Sequence, residues 1–240
     1  MGLRTREHAS PFELDRAARS RLEDHLARAC VAAARRGSSA LAAITVPLRS
    51  DLDLSACVLQ ASSHAGERRF CMEQPERAGF VLAGLGCARI LESTGAGRLA
   101  DLLEGTRAVS AAAFVDDPAR DSHAPAHAGP VWMGGFAFAP AGGSSNDWRG
   151  LAPAQLVLPE IAFARGAGEA RMTVCAVVEP GDTVRVHLDR LLVRVEGLHA
   201  ASMPLLDPDP VAAVRVAGVA PASHTKGRSP VRSNGSPLVS

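Results

Sequence analysis

Lysine is almost missing from this 240-residue chain: of 26 basic residues, 25 are arginine and one is Lys226, set in a polar C-terminal segment. Arginine stays protonated at any ordinary pH, whereas a desolvated lysine can act as a base, so a mechanism that needs a lysine base has only Lys226 to draw on. Aromatic residues are scarce as well, at 4%. The five cysteines (Cys30, Cys57, Cys71, Cys87 and Cys175) are widely spaced, odd in number and without a C-x-x-C pair. That spacing argues against a disulfide framework or a zinc site and for buried thiols in a reducing compartment. No charged-then-apolar leader is present, since Met1 to Arg6 leads into a polar helix, and no apolar run approaches the ~20 residues that cross a bilayer. With 26 basic residues against 25 acidic ones and a net charge of +1, nothing favours nucleic acid or an anionic membrane as a partner. The expectation is a soluble, cytoplasmic protein.

What is present is a core: 47% of the residues are apolar, enough for one large domain or two small ones. Ser10-Pro11-Phe12-Glu13 reads as a helix start with a capping box. Leu14, Ala18, Leu22, Leu26, Cys30 and Ala33 then recur at helical spacing as far as Arg35-Arg36-Gly37. Leu41 to Leu48 reads as a strand, Asp51 to Gln60 as a short helix and Ala61 to Gly66 as a turn. Arg68 to Glu73 and Gly79 to Gly86 read as a hairpin, because four residues are too few for a parallel crossover. Gly84-Leu-Gly86-Cys-Ala-Arg89 imitates a dinucleotide fingerprint, but Arg89 replaces the third glycine and Ile90 to Ser93 looks extended, so a glycine bend between strands is the better reading. Gly97 to Ala113 places Leu99, Leu102, Leu103, Thr106 and Val109 on a helix face. Asp116, Asp117, Asp121, His123 and His127 could suggest a metal site, yet Pro125 disfavours the helix that would pair the histidines, and a solvated loop is expected.

Gly129 to Pro159 is the stretch around which the rest is organised. GPVWMGGFAFAP gathers Trp132, Phe136 and Phe138 in one run and reads as a core strand. Its bulky face is Trp132, Gly134, Phe136 and Phe138, and its lean face is Met133, Gly135 and Ala137. Gly134 and Gly135 signal a bulge or the close approach of another backbone. After the turn Ala141 to Asp147, Ala154 to Phe163 reads as the returning antiparallel strand. Arg171 to Val178 is a further strand, and Glu179-Pro-Gly-Asp182 caps a helix lined by Val184, Leu188, Leu191, Leu192, Val195 and Leu198. His187 and His199 read as surface or helix-end histidines. From Met203 onward prolines and polar residues dominate. The chain therefore divides into a flexible 1–9, an α+β domain over 10–202 with a largely antiparallel sheet and helices packed on it, a linker over 203–222 and a disordered tail over 223–240.

GPVWMGGFAFAP with Trp148 and QLVLPEIAFAR, preceded in order by ALAAITVPL (Ala40 to Leu48) and RFCMEQPERAGFVLAGLGCARILES (Arg69 to Ser93), resembles the N-terminal half of isochorismate synthases, in the chorismate-utilising family with anthranilate and salicylate synthases. The resemblance runs over roughly residues 10 to 220. It implies the N-terminal part of the anthranilate synthase-like fold. It also implies an Mg²⁺-dependent isomerisation of chorismate to isochorismate in menaquinone or siderophore synthesis, with a lysine base, a glutamic acid and metal-holding glutamates. In the family those groups lie in the C-terminal, chorismate-binding half, and the lysine motif of the form K-V-V-L-A-R has no counterpart after Val211 to His224. No catalytic, cofactor-binding or metal-binding residue is therefore assigned: Mg²⁺ belongs to the full-length family, and none is expected on this chain. The residues read as a scaffold, inactive alone, whose partner is an absent or separate chorismate-binding domain. The alternatives are a non-catalytic module docking on such a chain, and a small-molecule binder using the Trp132 to Phe138 face.

Overall fold

Asp15, not Ser10, begins the first helix in the computed structural model, which describes residues 10–61, 67–116, 123–143, 146–148 and 150–203. The Asp15 carboxylate accepts from Ala18 N at 2.7 Å and caps α1 (Arg16–Arg36), which ends on Gly37 in the left-handed region at φ 62°. The expected capping box at Ser10 is instead a turn, with Glu13 N donating to the Ser10 carbonyl. Phe12 and Leu14 are drawn into the core, Phe12 meeting Phe163 edge-on at 5.7 Å, and the chain has to turn before a helix can start.

The other described elements are β1 (Ala40–Leu48), α2 (Leu54–Gln60), β2 (Arg69–Gln74), β3 (Phe80–Leu85), β4 (Arg89–Ser93), α3 (Arg98–Ser110), β5 (Ala113–Phe114), β6 (Met133–Phe136), β7 (Ala154–Leu158), β8 (Ile161–Gly166), β9 (Glu169–Val178) and α4 (Val184–Glu196). A six-stranded sheet runs β2-β3-β8-β9-β1-β5 and a three-stranded one β4-β7-β6. Every pairing is antiparallel except β1 with β5. The α+β class with a largely antiparallel sheet is thus what the chain forms. Two hairpins build the larger sheet, and the β8–β9 turn places Ala167 and Gly168 at φ 52° and 83°, which suits the right-handed strand twist.

One face of the larger sheet, with Ala42, Ile44, Val81, Ala83, Phe163, Met172 and Val174, packs in a single apolar cluster with α1, α2 and α4. The other face meets α3 and the small sheet through Leu41, Ala43, Cys175 and Val177 against Val109 and Leu158, and through Leu82 and Ala162 against Met133. The inner strands β1, β3, β8 and β9 are therefore apolar on both sides, as in a sheet covered on both faces, while β2 at the edge is largely exposed.

Several expectations need correction. Ala154 to Phe163 is not one strand but two, β7 in the small sheet and β8 in the large one. Pro159 offers no N–H to a ladder, and at Glu160 the chain changes partners, its N–H donating to the Leu85 carbonyl at 3.1 Å and its carbonyl accepting from Cys175 N at 2.9 Å. GPVWMGGFAFAP is not a core strand: β6 is the edge of the small sheet, Met133 of the lean face is buried, and Phe136 and Phe138 are exposed. On α3, Leu102 and Val109 are buried but Leu99 and Leu103 face outward, because a narrow stripe suffices to cover the small sheet. His187 is buried, its Nε2 donating to Asp182 at 2.8 Å; the Glu179 backbone N–H and, after it, this His187 bond hold the Asp182 carboxyl below its usual range. Cys57 and Cys175 are buried as expected; Cys71 and Cys87 are exposed. No described helix is long and apolar enough to cross a membrane. The flexible 1–9, the turn residues 62–66, and the linker and tail beyond Met203 with Lys226 lie outside the described residues.

Candidate functional site

The two sheets meet at Glu160, and the most polar buried arrangement of the described fold is built there. Arg190 and Arg194, one turn apart on α4, both reach it: Arg190 Nε lies 3.2 Å from Glu160 Oε1, and Arg194 Nε lies 3.1 Å from Glu160 Oε2 in an ion pair without hydrogen-bond geometry. The Arg194 guanidinium also donates to Glu67, which enters from the segment ahead of β2. Glu67 and Glu160 are about nine-tenths buried, and Glu67 Oε2 has no hydrogen-bond partner among the described residues. Gly86, at φ 77°, leaves room for the network: a Cβ there would sit 2.6 Å from Glu160 Oε2 and against the Arg194 guanidinium.

Beside this network a cleft of about 280 Å³ opens between the sheets, lined by Arg68, Arg69, Phe70, Gly84, Gly86, Met133, Gly134, Gln155, Val157 and Pro159. The glycines allow the walls to close. A Cβ on Gly84 would lie 2.7 Å from Met133 Sδ, and one on Gly134 would collide with the Gln155 carbonyl. The anticipated backbone approach in the Gly-Gly pair is thus at Gly134, while Gly135 faces open space. Gly134→Ala is expected to detach β6 from β7 at a cost of about 1–3 kcal/mol, measured by urea denaturation together with loss of amide protection at Gln155 and Val157, whose N–H groups face β6. Gly135→Ala, as the control, should change stability by well under that.

A second opening of about 480 Å³ lies on the far side of β6, walled by Phe136, Phe138, Trp148, Leu151 and Pro153 over the backbones of Gly142 and Gly143. Arg98, buried at the start of α3, donates to the Gly95, Ala137 and Phe138 carbonyls and fixes this loop. Among the described residues no charged side chain lines the opening.

The cleft can hold an anion better than it can do chemistry. Arg68 reaches across it to donate to Gln155 Oε1 at 2.9 Å, a guanidinium of the kind that recognises carboxylates, whereas Arg69 shares the opposite face with Leu85 and donates to the Ala61 carbonyl at 3.2 Å. Among the described residues no nucleophile is activated there: Cys175 Sγ donates to the Pro159 carbonyl at 2.8 Å, and burial with the neighbouring Glu160 raises its pKa, so it remains a thiol. Nor do the described residues fit Mg²⁺. Glu67 and Glu160 are bridged by Arg194, whose positive charge takes the place a cation would need, and no group of three or more His, Cys, Asp or Glu converges among the described residues.

The features weighed in the sequence are dispersed. Asp116 accepts from Thr45 N and pairs with Arg21, His127 donates to the Val81 carbonyl and stacks on Phe80 at 4.2 Å, and His199 is exposed at the end of α4. Gly84 to Arg89 is the bend between β3 and β4 that was expected. Glu67, Glu160, Arg190 and Arg194 were missed, although a lone glutamate in the apolar run Leu156 to Phe163 and two arginines at i, i+4 were the available signals.

A family model described as "Chorismate binding enzyme" matches residues 25–226. The chain belongs to the chorismate-binding enzyme family. No curated protein matches. Among solved structures, the chain is similar to MenF, the menaquinone-specific isochorismate synthase from Escherichia coli, at 15% identity and a TM-score of 0.44, over 76% of this chain and 35% of that one. The chain thus spans about a third of the length of that enzyme.

Proposed function

We propose that these residues are the N-terminal scaffold of an isochorismate synthase, serving menaquinone or siderophore synthesis, and that the 240-residue chain alone does not turn over chorismate. Family membership over residues 25–226 supports the chorismate-utilising part of this reading. The observation that carries the rest is chemical: the described residues contain no lysine, and the two carboxylates buried together are neutralised by arginine, so among the described residues no group is poised to deprotonate water or to hold Mg²⁺. In this reading the base, the acid and the Mg²⁺ ligands come from a chorismate-binding portion in continuing or separate polypeptide. The exposed Phe136, Phe138, Trp148 and Leu151 favour a module that docks on that portion.

The test is a chorismate-consumption assay with Mg²⁺ on the 240-residue chain, alone and mixed with a separately produced chorismate-binding portion. No turnover alone and activity on mixing is the expected result. Substantial turnover by the chain alone would refute the scaffold reading.

A further inference from the structure

β5 closes the strand order of the larger sheet and is only two residues long. It pairs in parallel with β1, Leu41 opposite Ala113, and Leu41 N donates to the Ala112 carbonyl at 2.9 Å. In a parallel ladder, a residue so placed bonds to the two neighbours of its partner and not to the partner itself. The N–H and carbonyl of Ala113 therefore point away from β1, towards the outer edge.

Farther along, the same side of β1 is closed by side chains. His25 Nδ1 donates to the Ala43 carbonyl at 2.8 Å and the Asp116 carboxylate accepts from Thr45 N at 2.9 Å, which blocks strand addition there. At β5 no such plug is present among the described residues. Instead a groove of about 550 Å³ lies between β5 and α1, lined by Ala27, Val31, Ala32 and Phe114 with Arg28, Arg35 and Arg36. None of its lining residues among those described is acidic. Arg28 lies over the Phe114 ring at 4.7 Å, Arg36 donates to the Ala111 carbonyl, and Val31 and Val115 are exposed. Glu23 and Asp24 lie on α1 ahead of the groove, and Asp116 is occupied by Thr45 and Arg21. In a chain whose net charge is only +1, three arginines over an apolar floor form a local excess of positive charge.

We propose that this edge is a docking site for an extended acidic segment of a partner polypeptide, which adds beside β5 with apolar side chains on Val31 and Phe114 and carboxylates against Arg28, Arg35 and Arg36. The ladder bonds come from Ala113, and the choice of partner comes from charge. This surface is distinct from the cleft and does not depend on the isochorismate synthase reading.

The probe is a short end-blocked fluorescent peptide alternating valine and glutamate, titrated into the full chain and followed by anisotropy, with a valine–lysine peptide as control. The glutamate peptide should bind and the lysine peptide should not. Arg28→Gln with Arg35→Gln should weaken binding about tenfold, as expected for two exposed ion pairs at the upper end of their range. Ala113→Pro, which removes the outward N–H, should abolish binding while circular dichroism and melting stay those of the folded chain. Equal binding of both peptides, or no change in the arginine variant, would overturn the proposal. So would self-association that Ala113→Pro abolishes and the glutamate peptide fails to displace, since that would assign the edge to a second copy.

Discussion

Gly86→Ala is expected to destabilise the fold by roughly 2–5 kcal/mol, the sum of a backbone cost and an overpacking cost. Two costs add. The residue sits at φ 77°, where a Cβ crowds its own carbonyl at about 1–2 kcal/mol. The new methyl would also stand 2.6 Å from Glu160 Oε2 and against the Arg194 guanidinium, so the buried pair must part or the β3–β4 bend must move. Gly79 separates the two costs, since its φ is 68° but a Cβ there meets nothing within 4 Å. Gly79→Ala should therefore cost only the backbone term, about 1–2 kcal/mol. Urea midpoints of both variants decide the matter, and equal losses would show that the network tolerates the methyl.

The same glycine shows how much of the fold could be read in the sequence. Local signals were reliable where one element decides its own shape. The helix ending at Gly37, the short helix from Leu54, the β2–β3 hairpin and the strand at Arg171 follow from periodicity and turn residues, and they lie where expected. Gly84 to Arg89 was legible as a bend because no helix follows it. The failures are all decisions made by tertiary partners. Phe136 and Phe138 look like core by composition, yet β6 is a sheet edge with nothing among the described residues covering its outer side. Ala154 to Phe163 has the apolar content of one long strand, and the change of sheet at Glu160 is set by Leu85 and Cys175, which are far away in sequence. Ser10 looks like a better N-cap than Asp15 until the burial of Phe12 is known. The resemblance through GPVWMGGFAFAP and QLVLPEIAFAR pointed to the chorismate-utilising family that residues 25–226 belong to. The polar junction of the sheets left only local hints, Glu160 in an apolar run and the spacing of Arg190 and Arg194, because its four members are contributed by three separated segments.

Arg194→Met should cost about 3–5 kcal/mol, the penalty for leaving a buried charge without its partner. The loss should fall unequally on the two carboxylates. Glu160 keeps Arg190 at 3.2 Å, whereas Glu67 has Arg194 as its cation among the described contacts, and its Oε2 already lacks a hydrogen bond. Removing the stranded charge should then restore stability selectively. Glu67→Leu on the Arg194→Met background is expected to recover more than half of the loss, because a buried ion pair replaced on both sides by apolar groups of similar size is often close to neutral. Glu160→Gln on the same background should recover little, since it also deprives Arg190 of its anionic partner. Chemical denaturation of the single and double variants provides the cycle, with a large coupling between positions 67 and 194 and a small one between 160 and 194. The reverse order would mean that Arg194 stabilises the junction chiefly through Glu160, and that Glu67 is satisfied by something other than α4.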